Sequence, residues 1–413
     1  MSGIRRAALH RRVAAVLESM YAEEIPTVAG RLFRHYQAVN MGRQAAHFAE
    51  IAATYALSLA APAEAVFFYQ EALALAPTPL RQFGLGVALI WQGKLEDAKA
   101  VLEVAQGAFD EQGNWQGVAQ TSFELAKLCL AMGDSHGVLR WAEQGREALV
   151  STDDAAMHAV AQYLLGLGCR VCGHALLEAE THLLEASQLA QTAQYLELRA
   201  TISVELGNVY AQQGDPARAV KACEEAVRLA RRAKDRFQEI LGHNNAAYYA
   251  LLQGNLEWAQ EHITIGLALA EKHAVAVPRQ WLYSTQGELA LVQKQWEEAA
   301  TWFTRGLVEA EHYGNREQIA NYHANLGLSA QGRGDLERAV LLLEQARTEA
   351  TLIAAPHLHI QIHLWLTELY LLREEYAAAK EVLNRASKLL ETSDLGLLRN
   401  CFQQLQTKLR SIL

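Results

Sequence analysis

The sequence predicts an all-α protein, a right-handed superhelix (solenoid) of paired helices with about 40 residues in each pair. Three observations support this. Turn residues recur 40 or 41 positions apart, a small residue follows each turn at the start of the returning helix, and only 7 of the 413 residues are Pro. The turn residues are Gly93, Gly133, Gly173, Gly214, Gly254, Lys294, Gly334 and Glu374.

Composition and charge limit the kind of protein. Hydrophobic residues make up 51% and charged residues 20% of the chain, which is typical of a folded protein. The net charge of −9 disfavours attraction to nucleic acid or to anionic membranes. The 5 cysteines lack the spacing of a disulfide framework, and neither a signal peptide nor a membrane-spanning run is evident. We therefore expect a cytoplasmic protein that contacts neither nucleic acid nor membrane directly.

Residues 1–79 are predicted to form a leading helical arm and a first, irregular hairpin. Helical periodicity of apolar residues covers residues 4–21 and 27–39, and a hairpin follows over residues 43–76. Pro77-Thr78-Pro79 disfavours helix on both sides. The boundary between the arm and the regular repeats is therefore placed there.

Residues 80–393 are predicted to form eight helix pairs. Many first helices carry Leu-Gly eight and seven positions before the turn, as at Leu206 and Gly207. Gly inside a helix costs about 1 kcal/mol relative to Ala, so its recurrence predicts a close approach of the paired helices. Residues 394–413 have one apolar and one polar side, which predicts a C-terminal capping helix. The apolar ridge of one returning helix consists of Ala339, Leu342, Leu343 and Ala346.

Two segments carry the signature of a known repeat. Leu206–Ala219 contains Leu-Gly-x-x-Tyr, a Gly-Asp turn and a following Ala, and Leu326–Ala339 contains a similar arrangement. In these residues the chain resembles the tetratricopeptide repeat family, over roughly residues 80–391. Its unit exceeds the usual length of about 34 residues by about six. In this respect it is similar to the long-helix repeats in sensor domains of the bacterial maltose-operon activator family.

Short motifs in the leading arm extend this resemblance. Leu9–Ala14, Arg34–Tyr36, Ala45–Phe48 and Ala65–Leu73 resemble the region that joins the nucleotidase module to the repeats in signal-transduction ATPases with numerous domains (STAND proteins). The resemblance implies an inducer-sensing module of a larger regulator, in which the repeats restrain the ATPase until an inducer binds. The phosphate-binding Gly-x-x-x-x-Gly-Lys-[Ser/Thr] motif is absent from this sequence, and its one Gly-Lys dipeptide, at Gly93, falls in a repeat turn.

The first helices of such repeats line a concave face, which predicts a binding groove on the side opposite the Leu-Gly ridge. That side mixes aromatic rings, amides and both signs of charge, which suits an extended peptide, a protein surface or a sugar-like ligand. The alternative is that several of these residues serve packing between repeats. The candidate groove residues are Phe83, Phe123, Lys127, Tyr163, Arg170, Asn208, Asn244, Tyr248, Trp281, Glu288, Asn321 and Asn325.

A clamp for a C-terminal carboxylate is not predicted. Repeats of that subclass use a Lys and Asn pair, and Asn208 and Asn325 lie near such positions. The positions that would hold Lys are instead Val204, Ser284 and Ala324.

The sequence offers no convincing metal or catalytic site. His359 and His363 share a helix face and Cys169 and Cys172 form one Cys-x-x-Cys, but both lack the further ligands of a zinc site. No nucleophile with a base or carboxylate pair in a cleft stands out. We predict no enzyme activity, no cofactor and no bound metal.

Three functions remain open. The first is an interaction module that binds a protein or peptide inducer, or a nucleotidase module of the same larger protein. The second is a sensor that closes on a sugar or another metabolite. The third is a purely structural scaffold, which the nearly constant repeat length also fits.

Overall fold

A computed structural model of the protein describes residues 3–173, 175–352, 356–391 and 396–412. In these residues it contains 21 α-helices and no β-strand, which confirms the predicted all-α class. The chain divides into two compact units, Met1–Met157 and His158–Leu413. None of the helices in the described ranges is both long and apolar enough to cross a membrane.

The first unit consists of helices that pack in chain order, each against the next. Its helices are α1 (Gly3–Met20), α2 (Ile25–Ala38), α3 (Gly42–Ser58), α4 (Pro62–Leu75), α5 (Pro79–Trp91), α6 (Leu95–Glu111), α7 (Trp115–Ala131) and α8 (Ser135–Ala148). In addition, α3 contacts α5 and α5 contacts α7, so the first helices of consecutive pairs are neighbours.

The second unit repeats this arrangement over a longer stretch, and α9 begins three residues before the boundary. Its helices are α9 (Ala155–Cys172), α10 (Leu176–Thr192), α11 (Leu196–Gln212), α12 (Pro216–Ala233), α13 (Arg236–Leu252), α14 (Leu256–Lys272), α15 (Ala276–Val292), α16 (Trp296–Tyr313), α17 (Arg316–Gly332), α18 (Leu336–Ala350), α19 (Pro356–Leu372), α20 (Tyr376–Glu391) and α21 (Gly396–Ile412). Each of the odd-numbered helices α11 to α19 contacts the next odd-numbered helix.

All eight predicted turn residues adopt the left-handed conformation, with φ between 60° and 82°. Five of the turns that join one pair to the next have the same geometry, which the sequence pattern did not reveal; they contain Gly113, Gln194, Lys234, Ala274 and Gly314. Among them, Gln194, Lys234 and Ala274 have φ of 55°, 60° and 54°. Non-glycine residues adopt this conformation less readily than Gly. The pair of about 40 residues is therefore two similar halves of about 20, each a helix and a short left-handed turn.

The glycines of the first helices mark close helix crossings, as predicted. A Cβ atom on Gly86 would lie 2.5 Å from the Leu102 side chain, and one on Gly207 would lie 2.8 Å from the Cys223 sulfur. On Gly287 it would lie 2.3 Å from the Phe303 ring. The predicted ridge of Ala339 to Ala346 on α18 is buried, and a Cβ on Gly327 of α17 would lie 2.9 Å from the Leu343 side chain, so small and large apolar side chains interlock across this pair as well.

The leading arm already contains one hairpin of the repeat type. Helices α3 and α4 turn at Ala60, whose φ is 54°, and Ala65 is fully buried at the start of the returning helix. Beyond Pro77-Thr78-Pro79, Arg81 of α5 reaches back to Glu50 of α3, with 2.9 Å between Nε and Oε2. The turn at Ala60 lies 33 residues before Gly93, less than the spacing of about 40 in the later repeats. The domain boundary at residue 79 stays a prediction.

Helix α21 packs on α19 and α20 through buried Leu398, Phe402, Leu405 and Leu409. Gln403, Gln404 and Lys408 on its other side are exposed. Residues 394, 395 and 413 of the predicted cap, and 392 and 393 of the preceding repeat, lie outside the described residues.

Candidate functional site

One side of the first helices in the second unit carries a row of polar side chains, each of them buried or partly buried. We name the row from Arg170 to Asn325 the polar chain. Its members are Arg170, Glu205, Asn208, Asn244, Asn245, Tyr249, Ser284, Thr285, Glu288, Asn321 and Asn325. Because α11, α13, α15 and α17 are direct neighbours, side chains on this side can reach from one helix to the next.

The chain begins with an ion pair between α9 and α11. Arg170 Nε lies 2.7 Å from Glu205 Oε2, and both side chains are largely buried. Asn208 Nδ2 donates to the same carboxylate oxygen over 3.1 Å. Glu205 therefore has its charge paired with Arg170 and one of its carboxylate oxygens engaged by the protein itself.

The next links join α11 to α13. Asn208 Oδ1 accepts a hydrogen bond of 2.6 Å from the Tyr249 hydroxyl and one of 3.3 Å from Asn245 Nδ2. Asn245 Oδ1 in turn accepts from Asn244 Nδ2 over 3.1 Å. Each of these amides donates one hydrogen bond and accepts at least one, as a primary amide can, so the hydrogen bonds continue from α11 to α13.

Helix α15 is joined to both of its first-helix neighbours. Thr285 Oγ1 donates to Asn244 Oδ1 of α13 over 2.9 Å. On the other side, Asn321 Nδ2 of α17 donates to Ser284 Oγ over 3.3 Å, and Asn325 Nδ2 lies 3.5 Å from Asn321 Oδ1. Ser284 Oγ donates onward to Glu288 Oε1 over 3.1 Å.

Glu288 differs electrostatically from Glu205. Burial raises the pKa of Glu288 to about 7, although the hydrogen bond from Ser284 acts in the opposite direction. Tyr248 of α13 is 39% exposed, and its pKa is raised to about 12 by burial and, to a lesser extent, by the Glu288 charge. The carboxylate and the phenol thus lie close enough to influence each other.

Two further groove candidates of the second unit lie on the same helices. Burial and the Glu205 charge raise the pKa of Tyr163 on α9, against a smaller opposite effect of Arg170. Trp281 on α15 is partly buried, and its ring packs edge-on against Phe237 with 6.2 Å between centroids. Asn244 and Asn325 are buried at 8% and 4% exposure, so these two act mainly within the polar chain.

The candidates in the first unit have a different environment. Phe83 is partly buried, and Phe123 is 5% exposed with its ring against Gly145 of the returning helix. Lys127 is exposed and pairs with Glu124 of its own helix, 2.5 Å away. In residues 3–157 the structure describes no hydrogen bond that links these three side chains.

Sequence reasoning missed four members of the polar chain: Glu205, Asn245, Tyr249 and Thr285. A signal for three of them existed. Glu205, Asn245 and Thr285 stand nine residues before their turn residues, the position that Asn325 also occupies. A polar residue at the same repeat position in four consecutive first helices would have revealed the row.

The histidines and cysteines do not assemble a metal centre in the described part of the chain, where no group of three metal-binding side chains is close enough. His363 Nδ1 lies 2.8 Å from the backbone oxygen of His359, one turn earlier. The side chain of His357 lies outside the described residues. Cys169 and Cys172 are free thiols, and burial raises the pKa of Cys169.

Open hollows occur at two other places. One of about 380 Å³ lies in the first unit, between Pro26 and the exposed side of α3. Another of about 630 Å³ lies beside the polar side of α21, lined by residues that include Gln404 and Lys408. Neither contains a member of the polar chain.

Comparison with known proteins agrees with this architecture. Residues 200–232, which cover the turn between α11 and α12, match the tetratricopeptide repeat. A search of curated proteins found no match to the sequence. The fold and the matched segment together define a helical-repeat protein of the tetratricopeptide type.

Solved structures share the fold at low sequence identity. A Rap protein complexed with competence and sporulation factor is 12% identical with a TM-score of 0.58, over 84% of this chain and 99% of that chain. The apo form of RapI is 14% identical with a TM-score of 0.54, over 66% of this chain and 98% of that one.

A STAND protein with a tetratricopeptide repeat sensor, from Pyrococcus horikoshii, is also similar. It is 15% identical with a TM-score of 0.50, over 83% of this chain and 55% of that chain. The present chain therefore spans about half the length of that ATPase.

Proposed function

We propose that this chain is a binding module whose polar chain in the second unit holds an extended peptide or a peptide-like segment of a protein inducer. The observation that carries the proposal is the series of side-chain contacts from Arg170 to Asn325, in which Thr285 and Ser284 are adjacent residues of α15 and the other steps are hydrogen bonds or an ion pair. It crosses five consecutive first helices and fixes amide and hydroxyl groups at regular intervals.

The chemistry of the row suits a polypeptide backbone. A main chain presents N–H donors and C=O acceptors in alternation, and primary amides can satisfy both. Asn208, Asn245 and Asn321 are partly exposed, so they are held by the protein yet open to a guest. A binding surface that is already ordered loses less conformational entropy when a ligand binds.

The setting we propose is the inducer-sensing part of a STAND-type signalling ATPase. Two lines of support point there. The leading-arm motifs resemble the region before the repeats in such ATPases, and the fold is similar to the STAND protein from Pyrococcus horikoshii. A similar fold also occurs in a Rap protein complexed with competence and sporulation factor, so the fold accommodates a bound factor in that case.

The test is selection from a random dodecapeptide display library on the full chain. We expect enriched peptides to bind the unchanged protein, and the double variant Asn208→Ala, Tyr248→Ala to bind them at least about tenfold more weakly, because two contact groups are lost. Asn384→Ala, an exposed amide on the returning helix α20, is the matched control and should bind normally.

Two results would overturn the proposal: no enriched peptide, or equal binding by the double variant. A metabolite that raises the melting temperature by several degrees, in the absence of any peptide binding, would instead support a small-molecule sensor.

A further inference from the structure

We propose that Glu288, together with Tyr248 and Trp281, forms a subsite for the guanidinium group of an arginine in the bound peptide. This inference rests on the function proposed above, and it adds the chemical class of one residue of the partner. We name Glu288, Tyr248 and Trp281 the acidic subsite.

First, the carboxylate of Glu288 lies on the same side of α15 as two other subsite neighbours. These are Trp281 and Ser284, which precede it at successive spacings of three and four residues. Ser284 donates to Glu288 Oε1 and accepts from Asn321, which places the carboxylate at the edge of the polar chain. Glu288 is partly exposed, so an incoming group can reach it.

The second step is the charge around the carboxylate. Among the described residues, Ser284 gives Glu288 a single hydrogen bond, and no Lys, Arg or His forms an ion pair with it. The Glu288 charge raises the pKa of two other groups, Tyr248 on α13 and Tyr322 on α17, and both phenols are neutral near pH 7. Glu205, in contrast, is neutralised by Arg170 at 2.7 Å.

An unpaired carboxylate in a partly buried position is costly unless it serves a partner. The raised pKa of Glu288, about 7, reflects the free-energy cost of burying its charge, and a cation that binds there would offset this cost. The polar chain therefore contains one acid that the fold has satisfied and one that it has left for another molecule.

The third step is the aromatic surroundings. Tyr248 is 39% exposed, and no hydrogen bond is described for its hydroxyl. Trp281 lies two turns before Glu288 on the same side of α15. An aromatic face attracts a cation, and a planar guanidinium can stack on a ring while it donates two hydrogen bonds to a carboxylate. Arginine fits this combination better than lysine does, because an ammonium cannot do both with the same geometry.

The experiment compares peptides selected by the unchanged full chain with those selected by Glu288→Gln. We expect Arg to be enriched at one position in the first set and not in the second. For the best peptide, replacement of that Arg by Gln should raise Kd at least about tenfold for the unchanged protein and leave it nearly constant for Glu288→Gln.

The matched control is Glu297→Gln, an exposed carboxylate in the first turn of α16. It should select Arg-containing peptides as the unchanged protein does. Binding of the best peptide to the unchanged protein should also weaken between pH 8 and pH 5.5 as Glu288 gains a proton, whereas Glu288→Gln should show little of this dependence.

The outcomes separate the two proposals. If peptides bind through the polar chain without enrichment of Arg, or if Glu288→Gln still discriminates Arg from Gln, the acidic subsite is refuted while the proposed function stands. If no peptide binds the unchanged protein, both proposals are overturned.

Discussion

The two units use one backbone plan for different surfaces. In the second unit, side chains of neighbouring first helices are joined by the hydrogen bonds and ion pair of the polar chain. In the first unit the corresponding candidates are Phe83, Phe123 and Lys127, and the only ion pair among them joins Lys127 to Glu124 on the same helix in the described part of that unit.

The difference can be followed at one repeat position, six residues before the turn. It holds Val87 and Lys127 in the first unit, and Asn208, Tyr248 and Glu288 in three consecutive first helices of the second, whose other first helices hold Leu167, Leu328 and Glu368 there. The helix geometry is the same at these positions, so only the side chains differ. The repeat therefore separates stability, which comes from the interlocking ridges, from recognition, which depends on a few exposed positions.

The largest effect is expected from two glycines in returning helices, Gly306 of the second unit at a tight crossing and Gly107 of the first unit in open space. A Cβ on Gly306 would lie 2.1 Å from the Tyr322 ring, whereas one on Gly107 has no other atom within 4 Å. Gly306→Ala should lower the free energy of unfolding by about 2–3 kcal/mol through steric overlap. Gly107→Ala should raise it by about 0.5–1 kcal/mol, because Ala favours helix. Denaturant titration measures both.

Hydrogen exchange should then show increased opening of α16 and α17 in Gly306→Ala. Equal effects of the two substitutions would contradict the difference in packing.

The second comparison puts an apolar residue at a polar position of the second unit and a polar residue at the equivalent position of the first. Asn208→Leu should cost about 2 kcal/mol, because Tyr249, which is 5% exposed, and Asn245 lose their acceptor. Val87→Asn in the first unit should change stability by less than about 0.5 kcal/mol, since the site is partly exposed and has no polar partner to lose. A cost for Asn208→Leu as small as that for Val87→Asn would show that the polar chain contributes nothing to the fold.

The third comparison concerns two histidine pairs and acid stability. His243 and His262 lie 3.0 Å apart between their Nδ1 atoms and are buried, whereas His10 and His35, 2.9 Å apart, are partly exposed. Burial and, to a lesser extent, the nearby His262 lower the pKa of His243 to about 4. Arg231 acts in the same direction, while Glu239 acts against it.

The unfolded state therefore binds more protons than the folded state between about pH 6.5 and pH 4, so the free energy of unfolding falls as the pH falls through this range. His243→Gln should remove part of this loss, on the order of 1–2 kcal/mol. His35→Gln should change the acid dependence less, because burial also lowers the pKa of His35 but its side chain is only partly buried. Urea titrations at pH 7 and pH 4.5 compare the variants, and identical slopes for both would refute the role of burial.

The smallest effect is expected at the position that holds Lys127 in one unit and Glu288 in the other. The folded state raises the pKa of Glu288 from 4.5 to about 7, so it binds more protons than the unfolded state in this window. Stability is accordingly lost as the pH rises from about 4.5 through 7. Glu288→Gln should stabilise the protein at pH 8 by about 1 kcal/mol.

Lys127→Gln, at an exposed surface pair, should change stability by less than about 0.5 kcal/mol. Thermal unfolding at pH 8 distinguishes the two variants. If Glu288→Gln were destabilising at that pH, the carboxylate would have a partner in the fold and the acidic subsite would lose its physical basis.

Much of the architecture could be predicted because it depends on local patterns. Gly214 and Lys294 marked turns through spacing alone, and Gly207 marked a helix crossing because Gly is otherwise unfavourable there. The turns at Gln194 and Ala274 escaped prediction because non-glycine side chains give little local sign of a positive φ.

The site could be predicted only as a set of positions. Asn208, Tyr248 and Glu288 were placed by helical periodicity on the correct helices, and whether they bind a ligand stays a prediction. The sequence could not show that Glu205 and Thr285, one residue away from the expected row, bridge neighbouring helices. Those contacts join residues 35 to 41 positions apart, and their formation depends on how far each helix is rotated against the next.

The sequence by itself determined the helices, their lengths and the period at which they return, because these follow from backbone propensity and the recurrence of small residues. Only the tertiary structure decided which polar groups satisfy one another across that period. Two glutamates of similar helical setting illustrate the reason: Glu205 faces Arg170, while Glu288 faces only neutral groups among the described residues. The free energy of a charge depends on what surrounds it in space, and a linear pattern does not contain that information.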